Sequence, residues 1–203
     1  MEITFAPKSR SIAMLGNYVL IALICLTAAA CGAQTGSPQA AGGTPATAPA
    51  AGGACTASHL DVVLDLKSAG VAAGTALIPL DLTNVSTSKC RLAGYAYVSF
   101  ATGKRRAQVG AAATADRSLP SKTLELGAGQ TAHLWLRMVS ATNLPARQCR
   151  PTTAAGLLLK LPGQTGAIFI SHRFRTCAKS VQGTDILTVE PFQSGRARSG
   201  TAQ

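Results

Sequence analysis

The chain has 203 residues, with 19 Lys and Arg against 8 Asp and Glu and three His, for a formal net charge of +11. That length fits one folded domain with flanking segments, and the imbalance points to anionic polymers, lipid headgroups or simple solvation of an apolar-rich domain. Three scattered His and one Met beyond the apolar start argue against a copper carrier, and the few acidic residues single out no glycosidase pair.

In chain order, Lys8 and Arg10 precede an apolar run from Ile12 to Ala30, broken by Asn17 and ending in Ala28, Ala29 and Ala30. Basic, then apolar, then small is the profile of a secretory signal peptide, assigned to residues 1–30. The run also approaches the roughly 20 residues that an uncleaved span requires. The residues before Cys31 resemble the lipobox of bacterial lipoproteins. That resemblance implies cleavage before Cys31, a diacylglyceryl thioether on its sulfur with the acylation typical of such proteins (palmitate), and anchorage on the outer face of the cell membrane. The alternative is a secreted protein cut after an Ala-x-Ala run. Residues 32–54, "GAQTGSPQAAGGTPATAPAAGGA", hold no charged and no aromatic residue. Such a segment buries too little apolar area to offset its ordering entropy, so residues 31–54 read as a lipidated cysteine with a flexible tether reaching roughly 25 Å.

The folded domain is placed at residues 55–192, about 138 residues, large enough to bury around two-thirds of its unfolded surface. Its apolar residues recur mostly at every second position: Leu60, Val62, Leu64 and Leu66, then Ile78, Leu80 and Leu82, then Ala132, Leu134, Leu136 and Met138. Shorter runs follow in "YAYVSF", "KTLEL", "GLLLKL", "GAIFI" and "DILTVE", and turn formers such as "SAGVAAG", "ATGK", "LGAGQ" and "LPGQTG" separate them. A period of two puts one side of each segment in a core. "PTTAAGLLLKL" is the one helix candidate, and Gly156 argues against it. About eight short strands predict an all-β, antiparallel sandwich. The last residues, 193–203, read as a frayed basic tail.

"LTNVSTSKCRLAGYAYVSF" resembles the signature of the actinobacterial family known as domain of unknown function 4232, at Thr83, Asn84, Cys90, Leu92, Gly94, Tyr95 and Val98, with Ala96 where the family usually has proline. "LGAGQTA" (126–132) and "CRPTTAAGLLLKLPG" (149–163) extend it over most of residues 55–190. The resemblance implies an Ig-like β-sandwich carried on secreted proteins or lipoproteins, and it implies no enzyme activity. Gly94 and Gly129 read as turn glycines, and the Asn84-Val85-Ser86 sequon as a strand-end turn rather than a glycan acceptor.

Of six cysteines, Cys25 falls in the signal and Cys31 at the lipid site, leaving Cys55, Cys90, Cys149 and Cys177 for two disulfides in an oxidising compartment. Four cysteines allow three pairings. Because first and last strands of a sandwich are often neighbours, Cys55–Cys177 with Cys90–Cys149 is expected. No Cys-x-x-Cys suggests a zinc or redox site, and no metal or cofactor is expected.

Without residues 1–30 the chain keeps 17 basic and 7 acidic residues. Lys104, Arg105 and Arg106, Arg147 with Arg150, and Arg173 with Arg175 form a candidate anion-binding patch. An anionic envelope polymer, a lipid headgroup or an envelope protein would suit it. Nucleic acid is not expected, since along the chain the cations are not interleaved with aromatics. Catalytic motifs such as Gly-x-Ser-x-Gly, His-Glu-x-x-His and phosphate loops are absent. His59, His133 and His172 lie far apart in sequence, and His133 reads as a surface or rim residue. The sequence thus describes a non-catalytic, membrane-anchored lipoprotein that binds an envelope component. An extracellular hydrolase with an unrecognised active site is the alternative.

Overall fold

The computed structural model describes residues 52–198; the apolar segment, Cys31, most of the expected tether and residues 199–203 lie outside them. Among the described residues there are thirteen strands, one short α-helix and two 3-10 turns. The larger sheet contains β1 (Leu60–Leu64), β2 (Gly70–Ala72), β3 (Thr75–Asn84), β7 (Thr114–Ala115), β9 (Thr131–Val139), β12 (Leu187–Val189) and β13 (Gln193–Ser194), running β1-β3-β9-β12-β7 with β2 on β3 and β13 on β9. The smaller sheet has the order β11-β10-β5-β6, from β5 (Tyr97–Thr102), β6 (Ala107–Val109), β10 (Pro151–Lys160) and β11 (Ala167–Cys177). A ribbon of β4 (Cys90–Leu92) and β8 (Leu124–Leu126) completes the fold. Pairing is antiparallel except between β12 and β7.

The period-two apolar positions do what their spacing dictates. Leu80, Leu82, Leu134 and Leu136 from the larger sheet meet Val98, Phe100, Leu157 and Leu159 from the smaller one in a single core. Each such side chain contributes about 1.5–3 kcal/mol by leaving water. The domain is therefore an all-β, Ig-like β-sandwich. "PTTAAGLLLKL" is strand β10 with its neighbour, not a helix, because its apolar side chains answer partners on β5 and β11 on both flanks. The alternation of the first run stops early: β1 ends at Leu64, and Leu66 is exposed.

Three expectations need correction. The disulfides are Cys55–Cys90 and Cys149–Cys177, not Cys55–Cys177 and Cys90–Cys149. Cys55 does not sit in a strand beside the last one. It lies against the ribbon, where its N–H donates to the Arg91 carbonyl at 2.9 Å, which delivers it to Cys90. Cys177 ends β11 opposite Pro151, which follows Cys149 by two residues. Each bond staples one end of the sandwich.

The boundaries also move. Gly53 and Ala54, assigned to the tether, already pair with Arg91. Residues 193–198, assigned to the tail, are docked: Gln193 and Ser194 pair with His133 and Ala132, and Ala197 is buried. This C-terminal strap covers Asp81 and His133 on the outer side of β3 and β9. Pro79, Asp81, His133 and Trp135 alternate with the core leucines and point the other way, yet all are covered.

Non-reducing peptide mapping should recover Cys55 linked to Cys90 and Cys149 linked to Cys177. Replacing Cys149 and Cys177 together by Ala should lower unfolding free energy in denaturant titration by about 3.5 kcal/mol, from the entropy of the freed loop.

Candidate functional site: a cationic sheet face

On the smaller sheet the positions pointing away from the core include Tyr97 on β5, Leu158 and Lys160 on β10, and Phe169, Ser171, Arg173 and Arg175 on β11. Lys160 pairs across with Tyr97, and Gly156 with both Ala101 and Ser171. A Cβ on Gly156 would stand 2.7 Å from the Cζ of Phe169 and 2.3 Å from the Ile170 carbonyl oxygen. Only glycine leaves room for the Phe169 ring beside β10. The Arg106 guanidinium then reaches back from the β5–β6 turn and lies 4.5 Å above that ring. Lys160 Nζ stands 5.7 Å from the Tyr97 ring centroid, and the Tyr97 hydroxyl donates to Gln108 Oε1 at 2.8 Å. Each cation–ring contact is worth about 0.5–1 kcal/mol at an exposed site, enough to hold a long side chain flat against the sheet.

The sequence missed this arrangement. Arg106 and Phe169 are 63 positions apart along the chain, and only strand register brings the cations over aromatic rings. The face thus presents two cations, each beside an aromatic ring.

Charge segregation sets the face apart. From residue 82 to 115, and again from 126 to 184, the chain has no Asp or Glu. Every strand of the smaller sheet falls inside those stretches. All seven acidic side chains among the described residues belong to the larger sheet, the ribbon or their connections. The ion pairs Lys89–Glu125 at 3.9 Å and Arg196–Asp81 at 3.2 Å also lie away from the smaller sheet. Arg106 and Arg150 further adopt left-handed backbone, φ +52° and +49°, a conformation that costs a non-glycine residue about 1–2 kcal/mol.

The seven candidate patch residues divide by place. Lys104, Arg105 and Arg106 form the β5–β6 turn, and Arg173 and Arg175 are exposed on either side of buried Phe174 on the edge strand β11. Arg147 sits apart, in a broad recess with Gln148 and Lys179 beside the Cys149–Cys177 bond, and Arg150 directly follows Cys149. Cys31 lies outside the described residues. On β11 the charges also blunt an edge that would otherwise invite strand pairing.

A second polar group lies under the strap. His133 is 6% exposed, not a surface or rim residue as its sequence context suggested. Its Nδ1 donates to the Gly195 carbonyl at 2.9 Å, and its ring meets Trp135 edge-on at 6.4 Å. Asp81, its register partner, accepts from the Ala197 N–H at 3.1 Å and from Arg196. This histidine and carboxylate thus hold the C-terminal strap and do not face a cleft. Nearby, burial pushes the Glu190 carboxyl above its usual range, and the charge of Asp116 adds to it. Among the described residues no cluster of three or more His, Cys, Asp or Glu is placed to hold a metal ion.

The model of the family described as "Domain of unknown function (DUF4232)" matches residues 55–193. The chain belongs to the DUF4232 family. No curated protein matches the sequence. The DUF4232 signature residues of this chain are structural. Asn84 is fully buried; its Nδ2 donates to the Ser88 and Leu126 carbonyls at 2.9 Å each, and its Oδ1 accepts from the Ser86 N–H at 3.0 Å. It locks the end of β3 to the ribbon. Gly94 (φ +79°) and Gly129 (φ +73°) take the turn conformations expected of them. The Tyr95 hydroxyl donates to the Leu119 carbonyl at 2.8 Å. None of Asn84, Gly94, Tyr95 and Gly129 lies on the outer positions of the smaller sheet, while the matched stretch 149–163 includes Gly156 and Lys160.

Gly156→Ala should lower stability by about 1–3 kcal/mol, the usual cost of overpacking, measured by denaturant titration. Glu190→Gln should raise it at neutral pH. The folded state holds the Glu190 proton more tightly than the unfolded chain does, so stability falls as pH rises from the ordinary carboxyl range through the raised value. The advantage of the variant should therefore be full above that window and disappear below it, read by thermal unfolding with Trp135, the single tryptophan, as reporter.

Proposed function

We propose that this protein is a non-catalytic lipoprotein, anchored through Cys31, whose basic β-sandwich binds an anionic component of the cell envelope. The observation that carries the reading is the charge segregation: one sheet of the sandwich presents cations with no carboxylate on any of its strands. A merely solubilising charge would gain from interspersing both signs. The anchor and tether readings of residues 1–54 place such a face within reach of envelope material, about 25 Å from a membrane surface. A hydrolase would need an open acid–base pair, and Asp81 and His133 are engaged in holding the strap.

Two measurements test this. The wild-type chain should partition into detergent-extracted membranes with a non-reduced mass that starts at Cys31, plus a diacylglyceryl group and less four hydrogens, and Cys31→Ser should release it to the medium. Purified protein should sediment with isolated envelopes in a salt-sensitive manner, and Arg105→Glu with Arg106→Glu should abolish most of that binding. Unchanged sedimentation of the double variant would overturn the reading.

A further inference from the structure

We infer that the outer face of the smaller sheet is a site for a linear polyanionic glycan, lying along the strands and held by Lys160, Arg106, Arg173 and Arg175. The inference rests on the envelope-binding reading and gives it a site and a ligand class.

The cations are distributed along the strand direction. Lys160 pairs with Ala167 at one end of the β10–β11 hairpin, and Arg175 with Thr153 near the other. Seven residues of β10 separate those levels, roughly 23 Å at the rise of a strand. Arg173 and Arg175, two residues apart, present charge at a spacing of roughly 7 Å. Arg106 fills the middle by lying across Phe169. A flat, elongated, single-signed stripe complements a rod of charge.

The aromatic supports favour a polymer running across the surface. Phe169 and Tyr97 hold their cations against the sheet, so the N–H edges of a stacked guanidinium remain turned sideways for carboxylate or phosphate oxygens. The Gln108 side chain, fixed by the Tyr97 hydroxyl and by donating to the Gly110 carbonyl at 3.0 Å, adds a polar group at the same level.

A lipid surface fits less well. Peripheral membrane contact combines cations with apolar side chains that enter the headgroup boundary. Of the exposed large apolar residues, Val63, Leu66, Val71 and Val85 belong to β1, β2 or the connections of the larger sheet, and only Tyr97 lies on the cationic face. The chain also enters the domain at the ribbon, where Cys55, Arg91 and Pro162 line one surface depression. Pro162 belongs to the β10–β11 turn, at the end opposite the Lys104–Arg106 turn.

The test uses the full chain in detergent with three probes: polygalacturonate, neutral dextran of similar length, and vesicles containing phosphatidylglycerol. Polygalacturonate should bind, with affinity falling steeply as salt rises, and dextran should not. Lys160→Ala with Arg173→Ala should weaken binding at least about tenfold, a difference of 1.4 kcal/mol. Arg147→Ala with Lys179→Ala removes the same charge from the recess beside the Cys149–Cys177 bond and should change binding less than about twofold, that is, by under 0.5 kcal/mol. Arg106→Gly should weaken binding without lowering thermal stability, because glycine takes the left-handed turn at no cost. Tyr97→Leu, which leaves net charge unchanged, should also weaken it, and serves where a change at Phe169 would disturb folding. Equal losses in the two charge-matched variants would overturn the site while leaving envelope binding intact. Vesicle binding in place of polygalacturonate would overturn the glycan as occupant. Failure of every probe while envelopes still sediment the protein would overturn the ligand class alone, and failure with envelopes as well would overturn the broader reading.

Discussion

Asp81 is the residue on which the layout of this domain turns. It stands on the central strand β3, on the side away from the core, where a carboxylate would ordinarily meet water. Here both of its oxygens are taken by the last residues of the described chain, one by the Ala197 N–H and the other by Arg196. Leaving a buried carboxylate without partners costs several kcal/mol, so strap and strand stabilise one another. With that contact in place, the larger sheet has no open face at its centre. On the smaller sheet the outward Ser99 and Ala101 of β5 are buried as well, while Tyr97, Lys160, Arg173 and Arg175 are exposed around them.

That exclusion gives the charge distribution its meaning. Had the acidic residues been scattered evenly, the +11 of the chain would describe solubility. Instead they cluster on the larger sheet or around it, and the exposed charges on the smaller sheet are cations. Aromatic rings beneath Arg106 and Lys160 limit how far those side chains swing, which lowers the entropy lost when an anion is gripped. The left-handed backbone at Arg106 is a further cost carried at this turn, as it is at Ala73 and Arg150.

Much of the fold was legible in the residues because burial of one face writes itself as alternation. "ALIPLDLTN", "TAHLWLRMV" and "YAYVSF" became β3, β9 and most of β5 for that reason. The same rule misled at His133, since alternation says which side a residue takes and not whether that side is later covered. β2, β4, β6, β7 and β13 are two or three residues long, too short for a period to register. β11 runs on through "SHRFRTC", where basic residues on the outer side broke the apolar run. The disulfide partners were out of reach because ribbon pairing at Arg91, not strand order, decides where Cys55 lies. Of the candidate site, Arg106, Arg173 and Arg175 were visible within clusters, whereas Lys160, Phe169, Tyr97 and Gly156 joined them only through register.

The placement of the two disulfides has a mechanical consequence. Were the domain tethered and bound to a polymer as proposed, it would be under tension, and tension travels along covalent bonds before it strains weaker ones. Pulled from its N-terminal side, the chain meets Cys55 at once, and the bond to Cys90 passes the load across, so that β1, β2 and β3 hang in a closed loop that carries none of it. The Cys149–Cys177 bond likewise removes β10 and most of β11 from the line of force. Inside the loops lie Leu80, Leu82, Leu157 and Leu159 of the core and Lys160, Arg173 and Arg175 of the cationic face, while β5, β6, β9 and the Lys104–Arg106 turn lie outside them. What can be drawn out is the chain between residues 91 and 148, which carries β5, β6 and β9, and the segment after Cys177, so that under load Arg173 and Arg175 stay on a covalently closed hairpin while Arg106 and Tyr97 depend on strand pairing alone.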